Sequence, residues 1–148
     1  MPVTIRSATT EDVTAIVAIE RESATAGHFT VEQYQQRRAD GFLLVAEEES
    51  GIAGFVCARE VSREWEIENI VVAQSVQRRG VADGLLGEFV QRARSLDATA
   101  IWLEVRESNQ PARKLYEKHG FKETGKRRAY YRNPDEDAVL YSLHLLPK

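Results

Sequence analysis

The run from Trp65 to Arg94, WEIENIVVAQSVQRRGVADGLLGEFVQRAR, holds the residues best suited to bind a ligand. At its centre, Gln77-Arg78-Arg79-Gly80-Val81-Ala82-Asp83 joins a strand pattern to a helix pattern. Gly80 and Ala82 let the backbone pass close to a ligand. The helix start that follows offers N–H groups without partners and the positive end of a dipole. Such a junction suits phosphate, and Arg78 and Arg79 add charge that a pyrophosphate would accept. Two familiar phosphate loops do not occur. There is no G-x-x-x-x-G-K-S/T, and a dinucleotide fingerprint would need glycine where Arg78 stands.

Further along, Glu104 interrupts the apolar run Ile101-Trp102-Leu103-Glu104-Val105. A carboxylate there is costly unless it faces a cavity or a partner, and an ion pair with Arg106 or a neighbouring strand is the plain structural alternative. Glu68, on the strand before the loop, reads as a solvated or ion-paired strand face. Tyr116, by spacing alone, is an amphipathic core tyrosine beside Leu115. Asn109 precedes Gln110-Pro111 and suits an N-cap. His28, His119 and His144 share no ligand spacing and no Cys/His cluster exists, so no metal is expected.

These residues need a scaffold, and the periodicity supplies one. Val3–Ser7 reads as a short strand, Thr10 caps a helix to about Glu22, and Val31–Arg38 forms a second helix after a small-residue loop. Phe42–Glu47 and Ile52–Glu60 read as a hairpin around Glu49-Ser50-Gly51. Ile67, Asn69 and Val71 alternate with Glu66, Glu68 and Ile70, and a helix follows in which Val81, Leu85, Leu86, Phe89, Val90, Ala93 and Leu96 recur at helical spacing. Ala98–Val105 is an apolar strand, Pro111–His119 a helix stopped by Gly120, and Phe121–Arg132 with Val139–Leu145 a final antiparallel pair. The order βααβββαβαββ implies an α/β (α+β) fold with a mixed, mostly antiparallel sheet flanked by helices.

With 148 residues, 43% hydrophobic and 29% charged, the chain is sized for one domain spanning 1–148. A net charge of −3 argues against broad nucleic-acid binding. Cys57 is the only cysteine, so no intramolecular disulfide forms and a buried structural thiol is expected. No signal peptide or membrane-spanning stretch is evident, which places the expected protein in the cytoplasm, away from membranes.

Gln77, Gly80 and Ala82 satisfy Q/R-x-x-G-x-G/A, and the run therefore resembles the acyl-CoA loop of the GNAT superfamily of N-acetyltransferases. Trp102-Leu103-Glu104-Val105-Arg106, Ala112-x-x-Leu115-Tyr116-Glu117-x-x-Gly120-Phe121 and Arg127-Arg128-x-Tyr130-Tyr131 are similar to the RimI type, which acetylates the N-terminal alanine of ribosomal protein S18. The likeness covers roughly Glu66 to the C-terminus. Ala26-Gly27-His28-Phe29 stands where RimI-type chains often carry Pro-Trp, and Asp83 stands where relatives commonly place a cation. An acid there suits the helix start and repels pyrophosphate.

The resemblance implies acetyl-CoA as co-substrate and assigns roles. Amine acetylation needs a base for the ammonium, a donor for the developing oxyanion and an acid for the departing thiolate. Glu104 is implied as the base, with Glu68 competing because many relatives place a carboxylate on the preceding strand, and Tyr116 as the acid. Backbone groups of Ile70, Val71 and Val72 would meet the peptide-like pantetheine arm as a pseudo-strand, their side chains being core. Asn109 would touch the same arm, and Gln77 to Asp83 the pyrophosphate. Arg127, Arg128, Tyr130 and Tyr131 would line the acceptor groove, with a solvated strand face as the alternative. The expected function is an acetyl-CoA-dependent N-acetyltransferase acting on a protein N-terminal α-amine, with S18 as acceptor. A small-molecule amine acetyltransferase and a non-catalytic acyl-CoA-binding module stand as alternatives.

Overall fold

The computed structural model describes residues 3–23, 29–74 and 80–145. Its elements are β1 (Thr4–Ser7), α1 (Val13–Glu22), α2 (Val31–Ala39), β2 (Leu43–Glu48), β3 (Gly51–Val61), β4 (Glu64–Val72), α3 (Val81–Ser95), β5 (Ala100–Arg106), α4 (Gln110–Lys118), β6 (Lys122–Tyr131) and β7 (Glu136–His144). The order is the one the periodicity implies. The strands form one seven-stranded sheet in the order β1-β2-β3-β4-β5-β7-β6. β4 and β5 pair in parallel, whereas β1–β2, β2–β3, β5–β7 and β6–β7 are antiparallel. By contacts the chain divides into two compact units, Met1–Arg59 with Glu68–Arg92, and Glu60–Ile67 with Ala93–Lys148.

The first unit is built around α1 and α2. Val13, Ile16, Val17 and Ile19 recur at helical spacing and bury one face of α1 against Tyr34 of α2, Leu43 and Val45 of β2, Phe55 and Cys57 of β3, and Val71 of β4. Full burial of side chains of this size contributes about 1.5–3 kcal/mol each. Cys57 is wholly covered, and burial followed by the nearby Glu68 charge pushes its thiol up, so it is an inert core residue. Gly54 is required by a close approach: a Cβ there would lie 2.8 Å from the Val71 carbonyl oxygen. This core also encloses a polar chain. The Tyr34 hydroxyl donates to Glu20 Oε1 at 2.7 Å, the Phe29 N–H donates to the same oxygen at 2.6 Å, and Asn69 Nδ2 donates to the Tyr34 hydroxyl at 3.2 Å. Glu20 lies four residues after Ile16 on the buried face of α1, and these bonds make its burial tolerable.

The second unit packs α4 on one face of the β5–β7–β6 sheet. Ile101, Leu103 and Val105 alternate inward along β5, and Tyr116 of α4 sits with its ring centroid 6.0 Å from Tyr141 and 5.9 Å from Phe121. α4 starts at Asn109, whose Oδ1 accepts from the Ala112 N–H at 3.3 Å, and it ends at Gly120 with φ +91°. The Phe121 N–H then returns to the Tyr116 carbonyl at 3.0 Å, the wrap expected of a helix closed by glycine.

The first helix departs from expectation at its start. Thr10 does not cap it. A 3₁₀ turn, Thr10–Asp12, precedes α1; Thr9 is the N-cap of that turn, and Asp12 stands at the N-cap position of α1 itself. Asp12 organises this end, because its Oδ2 accepts from the Thr9 N–H at 2.7 Å and the Thr9 hydroxyl at 3.0 Å while Arg6 donates to both carboxylate oxygens at 2.7 and 3.1 Å. The Arg6 bonds hold the Asp12 carboxyl down at about 2, against the opposing effect of its burial. A folded value below the unfolded one of about 3.9 means this contribution is complete above pH 4 and is lost as pH falls through about 2. We expect Asp12→Asn to destabilise the protein by about 1–2 kcal/mol at pH 7. Melting temperatures of the two proteins should converge as pH falls from 4 to 2, and a gap that stays constant over that range would contradict the account.

Candidate active site

Gly80 stands immediately before α3 with φ +79°, a backbone conformation that β-branched and bulky residues resist. A Cβ at Gly80 would meet nothing within 4 Å, so the space beside it is open. The Gly84 N–H bonds the Gly80 carbonyl at 3.0 Å, making this the first helical bond. The N–H groups of Val81 and Ala82 therefore have no acceptor inside α3, and the helix dipole adds positive character. Val81 is buried, Ala82 and Asp83 half-buried, and Asp83 lies in the first turn, where an acid complements the dipole. This end fits a diphosphate: an open cradle, converging donors and a 15-residue helix behind them. Gln77, Arg78 and Arg79 lie outside the described residues.

The strand leading to the loop offers backbone rather than side chains. The β4–β5 ladder ends at the pair Ile67 and Leu103, and β4 continues through Glu68 to Val72. Val71 is buried in the core of its unit, and Ile70 and Val72 are half-buried. Glu68, with its side chain 12% exposed, receives Arg37 Nε at 2.5 Å and Arg37 Nη2 at 2.9 Å. That is a closed fork between α2 and β4, and it matches the ion-paired reading of Glu68.

The second unit gathers the other candidates. Glu104 points to the sheet face opposite α4, its side chain only 10% exposed, and Arg127 Nη1 donates to both of its oxygens at 3.1 Å. Arg106, one of the two alternative partners for Glu104, is engaged elsewhere, with Glu136 at 3.2 Å and the carbonyls of Arg132 and Pro134. Arg127 reaches Glu104 across β7, because Glu104 opposes Leu140 and Arg127 opposes Ala138. A register shift between Arg127 and Tyr131 interrupts β6, with Ala129 at φ +51° and its N–H held by Asp137 Oδ1 at 2.8 Å. Such a bulge re-aims side chains. Arg127 lies over the Tyr130 ring at 4.4 Å, Arg106 over the Tyr131 ring at 4.6 Å, and the two tyrosines pack at 5.1 Å.

Tyr131 links the two residues singled out in the sequence. Burial and then the Glu104 charge raise its hydroxyl to about 12. Tyr116 is raised further, first by burial and then by Tyr131. The Tyr116 hydroxyl has no hydrogen-bond partner among the described residues, so it remains protonated and unspent. Asn109 is an N-cap in fact, with its amide nitrogen left over for another contact. Nothing in the sequence flagged the Arg127–Glu104 pair or the place of Tyr131 between Glu104 and Tyr116, since both depend on β7 lying between β5 and β6. Among the described residues no group of three His, Cys, Asp or Glu gathers as metal ligands, and no helix is long and apolar enough to cross a membrane.

A phosphate-ready helix start, a carboxylate on β5 and a protonated tyrosine on α4 are the parts an acyl-CoA-dependent transferase needs, and the chain belongs to the Acetyltransferase (GNAT) family, whose profile matches residues 10–121. It is an acetyl-CoA-dependent N-acetyltransferase. The ribosomal protein bS18-alanine N-acetyltransferase of Escherichia coli is 33% identical over 143 residues, covering 95% of this chain and 96% of that protein. Its counterpart in Haemophilus influenzae is 38% identical over 101 residues, 66% of this chain and 68% of that one. The crystal structure of the E. coli ribosomal-protein-S18-alanine N-acetyltransferase superimposes with a TM-score of 0.89 at 29% identity, covering 99% of this chain and 96% of that one.

The glycine at the helix start can be tested with a residue that tolerates its backbone. Asparagine enters the left-handed region at small cost, whereas valine pays the full penalty of about 1–2 kcal/mol. Gly80→Asn should keep the melting temperature within a few degrees while weakening acetyl-CoA binding by calorimetry at least about tenfold, since its side chain fills the open space beside the donors. A folded Gly80→Asn protein with undiminished affinity would remove this loop from the binding site.

Proposed function

We propose that this chain acetylates a protein N-terminal α-amine in the cytoplasm, with the N-terminal alanine of ribosomal protein bS18 as acceptor, and that its two units work as one acetyltransferase domain. The family match supports the last point, since residues 10–121 run through both units. The acceptor reading is supported by relatives whose names specify bS18-alanine and whose likeness extends over nearly the whole chain.

The observation that carries the mechanism is the contrast between two clamped carboxylates. Glu68 is held by two nitrogens of Arg37, whose side chain is 18% exposed, so this pair is a closed structural contact. Glu104 is held by one nitrogen of Arg127, whose side chain is 54% exposed and backed only by the exposed Tyr130 ring. An acceptor ammonium can replace Arg127 at Glu104 without leaving the carboxylate unpaired, which breaking the Arg37 fork would do. Glu104 is therefore the base: it takes the proton as the amine becomes nucleophilic. Bound acetyl-CoA supplies the thioester, whose C–S bond breaks as the new C–N bond forms. Tyr116, on the opposite face of β5, keeps its proton at neutral pH and delivers it to the sulfur. Val81, Ala82 and Asp83 hold the diphosphate by their N–H groups, assisted by Gln77, Arg78 and Arg79. The backbone of Ile70, Val71 and Val72 and the amide of Asn109 align the pantetheine arm.

Release of CoA from acetyl-CoA in the presence of an alanine-initiated bS18 peptide is the direct test. Turnover only with small amines would redirect the acceptor, and binding without turnover would leave an acyl-CoA module. Tyr116→Phe keeps the ring packing and removes the acid, so kcat should fall about 10²–10⁴-fold with acetyl-CoA affinity unchanged. Glu104→Gln should show a rate deficit that shrinks as pH rises, because more of the amine is already deprotonated. Near-parental kcat for Tyr116→Phe, or a pH-independent deficit for Glu104→Gln, would reassign the residue concerned.

A further inference from the structure

We infer that a groove beside Glu104 is a subsite for a lysine or arginine side chain of the acceptor polypeptide, a reading that rests on the protein-acceptor function proposed above. The groove lies within the second unit, encloses about 160 Å³ and is lined by Glu64, Ala100, Trp102, Leu140, Ser142 and His144. Its position follows from register. Ala100, Trp102 and Glu104 alternate onto one face of β5. Trp102 opposes Ser142, Ala100 opposes His144, and Glu104 opposes Leu140 on β7, while Glu64 opposes Ala100 on β4. The groove and the carboxylate thus share one face, the face that α4 leaves uncovered.

Size and charge select the occupant. Sites for drug-sized ligands run to about 300–1,000 Å³, so this groove takes one long side chain. Its floor is the half-buried Trp102 indole with Leu140 and Ala100, and its rim is the exposed Glu64 carboxylate. Among the described residues the side chains of Glu64 and His144 have no hydrogen-bond or ion-pair partner. A neutral apolar occupant would strip water from Glu64 without replacing it, and an anion would be repelled. A methylene stem carrying a cation satisfies both parts, packing on the indole and pairing with the carboxylate.

Distance then fixes the place along the acceptor. A strand rises about 3.3 Å per residue, which puts Trp102 about 7 Å and Ala100 about 13 Å from Glu104. An extended acceptor advances about 3.3–3.6 Å per residue. With its N-terminal amine at Glu104, its third to fifth residues pass over the groove.

The experiment compares alanine-initiated pentapeptides carrying arginine or its neutral isostere citrulline at positions three and five. Steady-state kinetics with acetyl-CoA are measured for the parent, Glu64→Gln and Trp102→Leu. The parent should prefer the arginine peptide about 5–10-fold in KM, the range for a cation on an aromatic face with a carboxylate. Both variants should lose that preference with kcat unchanged. Glu64 is exposed, so its variant folds even if Trp102→Leu does not. A parent indifferent to arginine, an undiminished preference in Glu64→Gln, or an equal loss for both peptides would overturn the subsite while leaving transfer to peptides intact. Acetylation of small amines and of neither peptide would overturn both readings. A concentration-dependent dimer broken by Glu64→Gln would assign the groove to a second copy of the chain and overturn the subsite as well.

Discussion

A carboxylate in the middle of a packed sheet must have a counter-charge, and this requirement shapes both units. Glu68 and Glu104 sit on interior strands with side chains 12% and 10% exposed. Each is met by an arginine from an element far away in the chain, Arg37 on α2 and Arg127 on β6. Removing either partner would strand a charge where water reaches poorly, at a cost of several kcal/mol. The two pairs differ in how they are closed. The Arg37 fork belongs to the packing of α2 on its strand, while the Arg127 contact is a single nitrogen on a solvent-exposed stem.

The second unit uses both faces of one short strand. Alternation along β5 sends Ile101, Leu103 and Val105 toward α4 and Trp102 and Glu104 the other way. Tyr116 approaches from the α4 side and Glu104 lies on the other, so a protonated phenol and a carboxylate flank the same strand without meeting. Tyr131 is raised to about 12 by its burial and then by the Glu104 charge, and it in turn adds to the rise at Tyr116. The bulge in β6 makes this possible. Without the shift between Arg127 and Tyr131, strict alternation would send Tyr130 and Tyr131 to opposite faces of the edge strand.

The start of α3 in the first unit is shaped by backbone rather than side chains. Gly80 supplies a positive φ and an unobstructed approach, and α3 supplies donors that its own geometry leaves unused. Gly54 serves packing instead, letting β3 come against the Val71 carbonyl. Glycines with such different duties look alike in a sequence, and Gly80 was distinguishable only because it stood at a strand-to-helix junction with Gln77 before it and Ala82 after it.

Local features therefore came directly from the chain itself. Hydrophobic period marks α1, α3, β4 and β5, Gly120 ends α4, Asn109 caps it, and the Q-x-x-G-x-A run announces a phosphate-ready helix start, because each depends on residues a few positions apart. The start of the first helix differs from the Thr10 cap, because the Arg6–Asp12–Thr9 bonds set Thr9 at the head of a 3₁₀ turn and bring Asp12 to the N-cap position of α1. What tertiary structure alone decided is who faces whom. That β7 lies between β5 and β6, that Arg127 rather than Arg106 meets Glu104, that Glu68 is closed by Arg37, and that Trp102 shares its open face with Glu64 all rest on contacts beyond local reach, 23 positions for Arg127–Glu104 and 31 for Arg37–Glu68. Strand periodicity repeats every two residues whatever the neighbour, so it tells which face a side chain takes and is silent on what it finds there.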